Sequence, residues 1–194
     1  MSLGKQAKVL TRQQQGAVLS YLATTRNANR NRVIFLLSVK AGLRAKEIAS
    51  LTWQMITDAD GEISDAIRLQ DKASKGNSGG IIWMNRDLKT ALAVLKVEKP
   101  ADGDDYVITT ERSKGTSSQA VVNMLWHWYR NLGFDGCSSH SGRRTFITNA
   151  ARKISTVGGS MRDVQLLARH SSLNMTMRYV DADKEAMRKV VDLI

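Results

Sequence analysis

The sequence predicts a mainly α-helical domain with a small antiparallel β-sheet set into it, an α+β fold. Three observations carry that expectation. Helix caps and apolar stripes of helical period recur from residue 11 to residue 193. Only the stretch from Trp53 to Met84 changes to strand-like character. No internal repeat or low-complexity tract interrupts the 194 residues, of which 42% are hydrophobic and 24% charged, enough for one sizeable core.

The elements follow in order. Thr11 and Gln14 form a capping box ahead of Ala17, Val18, Tyr21 and Leu22, the apolar stripe of a first helix. A second helix runs from about residue 29 to 41 and stops at Gly42, since glycine takes left-handed backbone without a Cβ penalty. A third, short helix takes in residues 44–50. Ala66-Ile67-Arg68-Leu69 and Ile81-Ile82-Trp83-Met84 read as two strands, joined by a Gly-, Lys- and Ser-rich turn near Lys72 and Lys75. Helices resume at about 86–97 and 117–132, the latter with Thr116 and Gln119 as its capping box. Others follow at about 141–153, 160–168, 173–178 and 184–193. In the last, Met187, Val190, Val191 and Ile194 form one apolar stripe. So short a helix is marginal until that stripe is covered.

Charge narrows the function. Twenty-nine Lys and Arg against 18 Asp and Glu give a formal net charge of +11, which points to a polyanionic partner. Nucleic acid is the first candidate and an acidic membrane surface the second. The charge is uneven: residues 1–46 hold nine basic and no acidic side chains, and residues 112–178 hold ten against Asp135 and Asp163. An acidic turn from Glu98 to Asp105 separates the two blocks, so one face should meet the polyanion and another the solvent. The single cysteine, Cys137, excludes an intrachain disulfide framework. Cys137 and His140 have the spacing of two metal ligands, but no second pair completes a site, so no metal is expected. The longest apolar run, Val33 to Val39, is too short to span a bilayer, and residues 1–5 lack the apolar core of a signal peptide. The expectation is a cytoplasmic protein.

Once the helices are placed, a few residues stand out. Gly42-Leu43-Arg44-Ala45-Lys46-Glu47 puts an arginine at a helix start, with Glu47 read as its structural partner. His140-Ser141-Gly142-Arg143 puts a histidine and an arginine three apart at the start of another. His170 follows Leu166-Leu167-Ala168-Arg169, and Tyr179 comes nine residues later. The third histidine, His127, lies between Trp126 and Trp128 and reads as packing. Taken singly, each has an ordinary structural explanation.

Taken in order, Arg44, a hairpin lysine, His140-x-x-Arg143, His170 and Tyr179 resemble the active-site signature of the tyrosine recombinases of the phage-integrase family. The surrounding sequence agrees: Ala41-Gly42-Leu43-Arg44, His140-Ser141-Gly142-Arg143-Arg144-Thr145-Phe146, and Leu167-Ala168-Arg169-His170-Ser171-Ser172. The resemblance implies the fold those enzymes share with type IB topoisomerases, and a site-specific recombinase cutting and rejoining double-stranded DNA through a 3′-phosphotyrosine. Tyr179 would be the nucleophile, Arg44 and Arg143 would grip the phosphate, and His140 would serve as base or proton shuttle. His170 would donate a hydrogen bond. The hairpin lysine would protonate the leaving 5′ oxygen; Lys75-Gly76-Asn77 favours Lys75, with Lys72 left as the alternative. Arg144, Arg169 and Arg178, together with Lys72, would contact the DNA backbone.

The same resemblance implies no cofactor, a homo-oligomeric, tetrameric synapse on DNA, a monomeric or weakly associated free state, and a nucleoid-associated protein of bacterial or phage origin. It implies that residues 1–194 form a single catalytic domain, without the N-terminal core-binding domain such enzymes carry. Type IB topoisomerase-like relaxation and a catalytically inactive DNA-binding module are the alternatives. A basic RNA-binding protein would leave the ordered motif unexplained.

Overall fold

Val33 to Val39 make too continuous an apolar run for a surface helix, and in the computed structural model every one of these residues is buried, within α2 (Ala28–Lys40). The structure describes residues 6–70, 79–100, 103–180 and 184–192. They fall into two compact units, divided within one helix after Phe146.

In the first unit, α2 is the centre. Against it pack α1 (Arg12–Ala23), α3 (Ala45–Ala49) and α4 (Arg86–Glu98), and α5 (Ser118–Asn131) packs on α3. The Thr11 hydroxyl accepts from the Gln14 N–H at 3.1 Å and the Gln14 side chain accepts from the Thr11 N–H at 2.9 Å, closing the expected capping box. The two strands, β1 (Ala66–Leu69) and β2 (Gly80–Trp83), pair antiparallel with Ile67 opposite Ile82 on the buried face. Arg68, Ile81 and Trp83 take the exposed face, as a period of two demands.

Local signals located most elements to within a residue, with instructive exceptions. β2 begins at Gly80 rather than Ile81 and ends at Trp83. Ser117, not Thr116, caps α5, its hydroxyl accepting from the Ala120 N–H at 3.1 Å. Thr116 and Ser117 are both capping types, with serine the better of the two, and Ser117 holds the extended backbone (ψ 156°) that turns its side chain onto the helix start. Gln119 bonds Asn123 instead of closing a box. The sequence also concealed a 3-10 turn at Trp53–Met55, whose neighbour Thr52 bridges Tyr106 across the sheet-like pairing of Leu51 with Val107.

The second unit continues from the dividing helix, α6 (Ser141–Lys153), through a 3-10 turn at Ile154–Val157 to α7 (Met161–Ala168), α8 (Leu173–Met177) and α9 (Lys184–Val191). α7 packs on α8 and on the 3-10 turn. Ser160 caps α7, and Asp163 closes the capping box, accepting from the Ser160 N–H at 2.7 Å and its hydroxyl at 2.8 Å; these bonds hold the Asp163 carboxyl below the ordinary value. On α9, Met187, Val190 and Val191 are exposed; Ile194 lies outside the described residues. Among the described residues, no helix is long and apolar enough to cross a membrane.

Candidate active site

The first unit builds an arginine pair around one glycine. Gly42 ends α2 at φ +64°, and a Cβ there would come within 2.5 Å of the Phe146 ring, so both conformation and space require glycine. The turn makes Arg44 the N-cap of α3. Glu47, whose side chain is fully buried, accepts from the Arg44 backbone N–H at 2.8 Å and from its Nη1 at 2.9 Å. One carboxylate thus fixes both the backbone and the fork of Arg44.

Arg143 reaches the same turn from α6. It is 6% exposed, and its Nη1 donates to the Gly42 carbonyl at 2.5 Å. A guanidinium buried so far must be hydrogen-bonded, and the carbonyl two residues before Arg44 is one of its partners. Close packing brings the helices together: a Cβ on Gly142 would collide with the Ser38 hydroxyl of α2. The start of α6 is further tied by Thr145, whose hydroxyl accepts from the Leu10 N–H at 2.8 Å and donates to the Ser141 carbonyl at 2.7 Å.

His140 opens α6, its carbonyl accepting the Arg144 N–H at 2.9 Å, and its side chain is exposed. Arg144 is half-buried and its Nη1 donates to the Gln6 side chain. Burial raises the Cys137 thiol, partly offset by the Ser141 hydroxyl and Lys8, which disfavours the reactive thiolate. His127 does not pack inward: it is exposed on α5, edge-on to Trp126 with ring centroids 4.9 Å apart. Among the described residues, no group of three or more His, Cys, Asp or Glu side chains could hold a metal ion.

The second unit brings His170 and Tyr179 together. α7 ends at Arg169 in left-handed backbone (φ 53°), and the reversal turns His170 inward, where it is 7% exposed. The His170 N–H donates to the Gln165 carbonyl at 3.1 Å, and the Gln165 amide donates back to the His170 carbonyl at 3.0 Å. The His170 and Tyr179 rings stack, with centroids 5.5 Å apart and planes 26° from parallel. Tyr179 is fixed from both sides: its N–H donates to the Thr176 carbonyl at 3.0 Å, and its carbonyl accepts from the Thr148 hydroxyl at 3.2 Å. The Thr176 hydroxyl is 3.0 Å from Nδ1 of His170. Sequence reading passed over Thr176, since a threonine inside a short helix belongs to no motif; its spacing from both His170 and Tyr179 was the only available signal. Arg178 is exposed, and Lys72 and Lys75 lie outside the described residues.

Residues 8–186 match the sequence profile of the phage integrase family. The chain belongs to that family. This integrase-family chain is 30% identical to the tyrosine recombinase XerA of Thermococcus onnurineus, over 94% of its own length and 61% of the relative's. It is 25% identical to the tyrosine recombinase XerD of Pseudomonas putida, over 83% and 52% respectively. It therefore spans roughly half to three-fifths of those curated relatives. Among solved structures, it superposes on the Tn1549 transposon integrase in complex with a circular intermediate DNA with a TM-score of 0.77 at 16% identity, covering 100% of this chain and 68% of that one. A XerA recombinase crystal structure gives 0.71 at 19%, covering 100% and 65%. These structural likenesses establish the fold, mostly helical with a small two-stranded sheet, as the sequence led one to expect.

Proposed function

We propose that this chain carries the strand-breaking and rejoining chemistry of a site-specific DNA recombinase, with Tyr179 as nucleophile. The observation that carries the reading is the pair in the second unit: a tyrosine with its backbone held at both ends, stacked 5.5 Å from a buried histidine. The relatives named as tyrosine recombinases and the integrase solved with DNA support the same reaction class.

The Tyr179 oxygen attacks phosphorus, forming a tyrosine–phosphate bond and breaking the bond to the 5′ oxygen. A tyrosine hydroxyl titrates near pH 10 in water, so it needs a base or a positive field at neutral pH. His140 takes its proton. Arg44 and Arg143 neutralise charge that gathers on the non-bridging oxygens, where planar guanidinium forks fit two at a time. Glu47 holds the first fork in place and Gly42 anchors the second. His170 donates a further hydrogen bond to the phosphate. The leaving 5′ oxygen takes its proton from the hairpin lysine, Lys75 in preference to Lys72. The phosphotyrosine keeps the bond energy, so a 5′ hydroxyl of another strand reverses the step without a nucleotide. Arg144, Arg169 and Arg178 contribute backbone contacts to the double-stranded DNA.

The deciding experiment is Tyr179→Phe on a nicked suicide DNA substrate. Removing one oxygen should leave binding intact and abolish the protein–DNA adduct; an adduct formed by the phenylalanine variant would displace Tyr179 as nucleophile.

The proposal extends to assembly. On DNA the chain works as a homo-oligomer, a tetramer at the synapse, and is monomeric or weakly associated when free. The exposed Met187, Val190 and Val191 of α9 support this, as an apolar stripe that a neighbouring subunit could cover.

A further inference from the structure

Thr176 is fully buried in α8, and its hydroxyl has an unusual partner. Threonines inside helices commonly return their hydroxyl to a carbonyl one turn back. This one lies 3.0 Å from Nδ1 of His170 and, among the described residues, makes no other hydrogen bond. A neutral imidazole donates through one nitrogen and accepts through the other, and a hydroxyl has one proton to give. Were Nδ1 the donor, the threonine proton would be buried with no acceptor, a costly arrangement. With the hydroxyl donating to Nδ1, both groups are satisfied and Nε2 carries the ring hydrogen. The same residue holds the nucleophile, because its carbonyl accepts the Tyr179 N–H at 3.0 Å.

We propose that Thr176 is a positioning residue that fixes His170 as its Nε2–H tautomer, so that the ring presents an N–H donor to the DNA phosphate; this rests on the assignment of His170 to that phosphate. Thr176 thereby ties the tautomer of one active-site residue to the backbone position of another. Whenever α8 shifts, both change together.

The chain holds three histidines, His127, His140 and His170, so nitrogen-15 spectra of the intact protein resolve each ring and replacement of one at a time assigns them. In the unaltered protein at neutral pH, His170 should show a protonated Nε2 and an unprotonated Nδ1; a protonated Nδ1 overturns the proposal without any variant. Thr176→Val keeps the shape and removes the hydroxyl. It should mix the His170 tautomers, and slow adduct formation on the suicide substrate about tenfold, the effect of one lost hydrogen bond. Thr176→Ser should restore both readouts to within about twofold of the original. A valine variant with the original His170 spectrum, or a serine variant as slow as valine, overturns the assignment. His170→Ala separates the two levels: if it leaves adduct formation at full rate, the role of His170 in the reaction fails, while the tautomer spectra still decide what Thr176 does to the ring.

Discussion

Glu47 shows how a single buried side chain can serve the fold and also hold the arginine proposed to grip the phosphate. Its carboxylate is wholly buried and is held by the backbone and guanidinium of Arg44, itself 28% exposed. Arg44→Ala should therefore cost about 2 kcal/mol of stability, because it removes the guanidinium from a buried carboxylate and leaves its charge less compensated, which is more than the loss of a surface pair. Urea unfolding measures this; a loss under about 0.5 kcal/mol, typical of a surface change, would mean that Glu47 does not depend on its partner. Activity lost in that variant must be read against its fold. The leaving-group acid can be isolated more cleanly. Lys75→Ala should slow cleavage strongly on ordinary DNA and far less on DNA with sulfur at the 5′ bridging position, since a thiolate departs unprotonated. Equal slowing on both substrates removes Lys75 from that role, and the same test on Lys72 decides between the two. The spacing of the arginines, histidines and tyrosine was legible in sequence because the order itself is the signal. The Gly42 carbonyl under Arg143 and the Thr176 hydroxyl beside His170 were not, since both pairings depend on folded geometry rather than on residue type.

At the scale of elements, caps made the helices readable. Thr11 with Gln14 and Ser160 with Asp163 bond within three residues, so nothing distant had to be known. What distant residues decide was invisible, as the pairing of Thr52 with Tyr106 shows, and so was the backbone angle that made Ser117 rather than Thr116 the cap. α9 tests the remaining expectation. Its three exposed apolar residues stand on a helix of eight, too short to hold itself together in water. Deleting residues 184–194 should leave binding to a single DNA site nearly unchanged while reducing the pairing of two sites and strand exchange. Pairing at the original level would show that α9 serves only its own chain.

For the molecule as a whole, charge sets the behaviour. A net +11, with long runs free of acids, favours contacts to phosphate over contacts to bases. Binding by this chain alone should be nearly indifferent to sequence and should weaken about a hundredfold between about 50 and about 200 mM salt, the release expected for some four phosphates. Tight, sequence-selective binding at physiological salt, measured by titration of labelled duplexes, would contradict this. The hydrogen bond from Arg143 to the Gly42 carbonyl bears on a different moment in the life of the protein. Its two ends are 101 residues apart, and the Leu10–Thr145 bond that braces the same helix joins ends 135 apart. At about 5–20 residues per second, a ribosome needs about 5–20 s to travel from the first of the two arginines to the second. During that interval the nascent chain already displays Arg44 and much of its positive charge, yet lacks the partner that locks the turn. The proposed phosphate grip therefore cannot close until Arg143 has been made, however early Arg44 emerges.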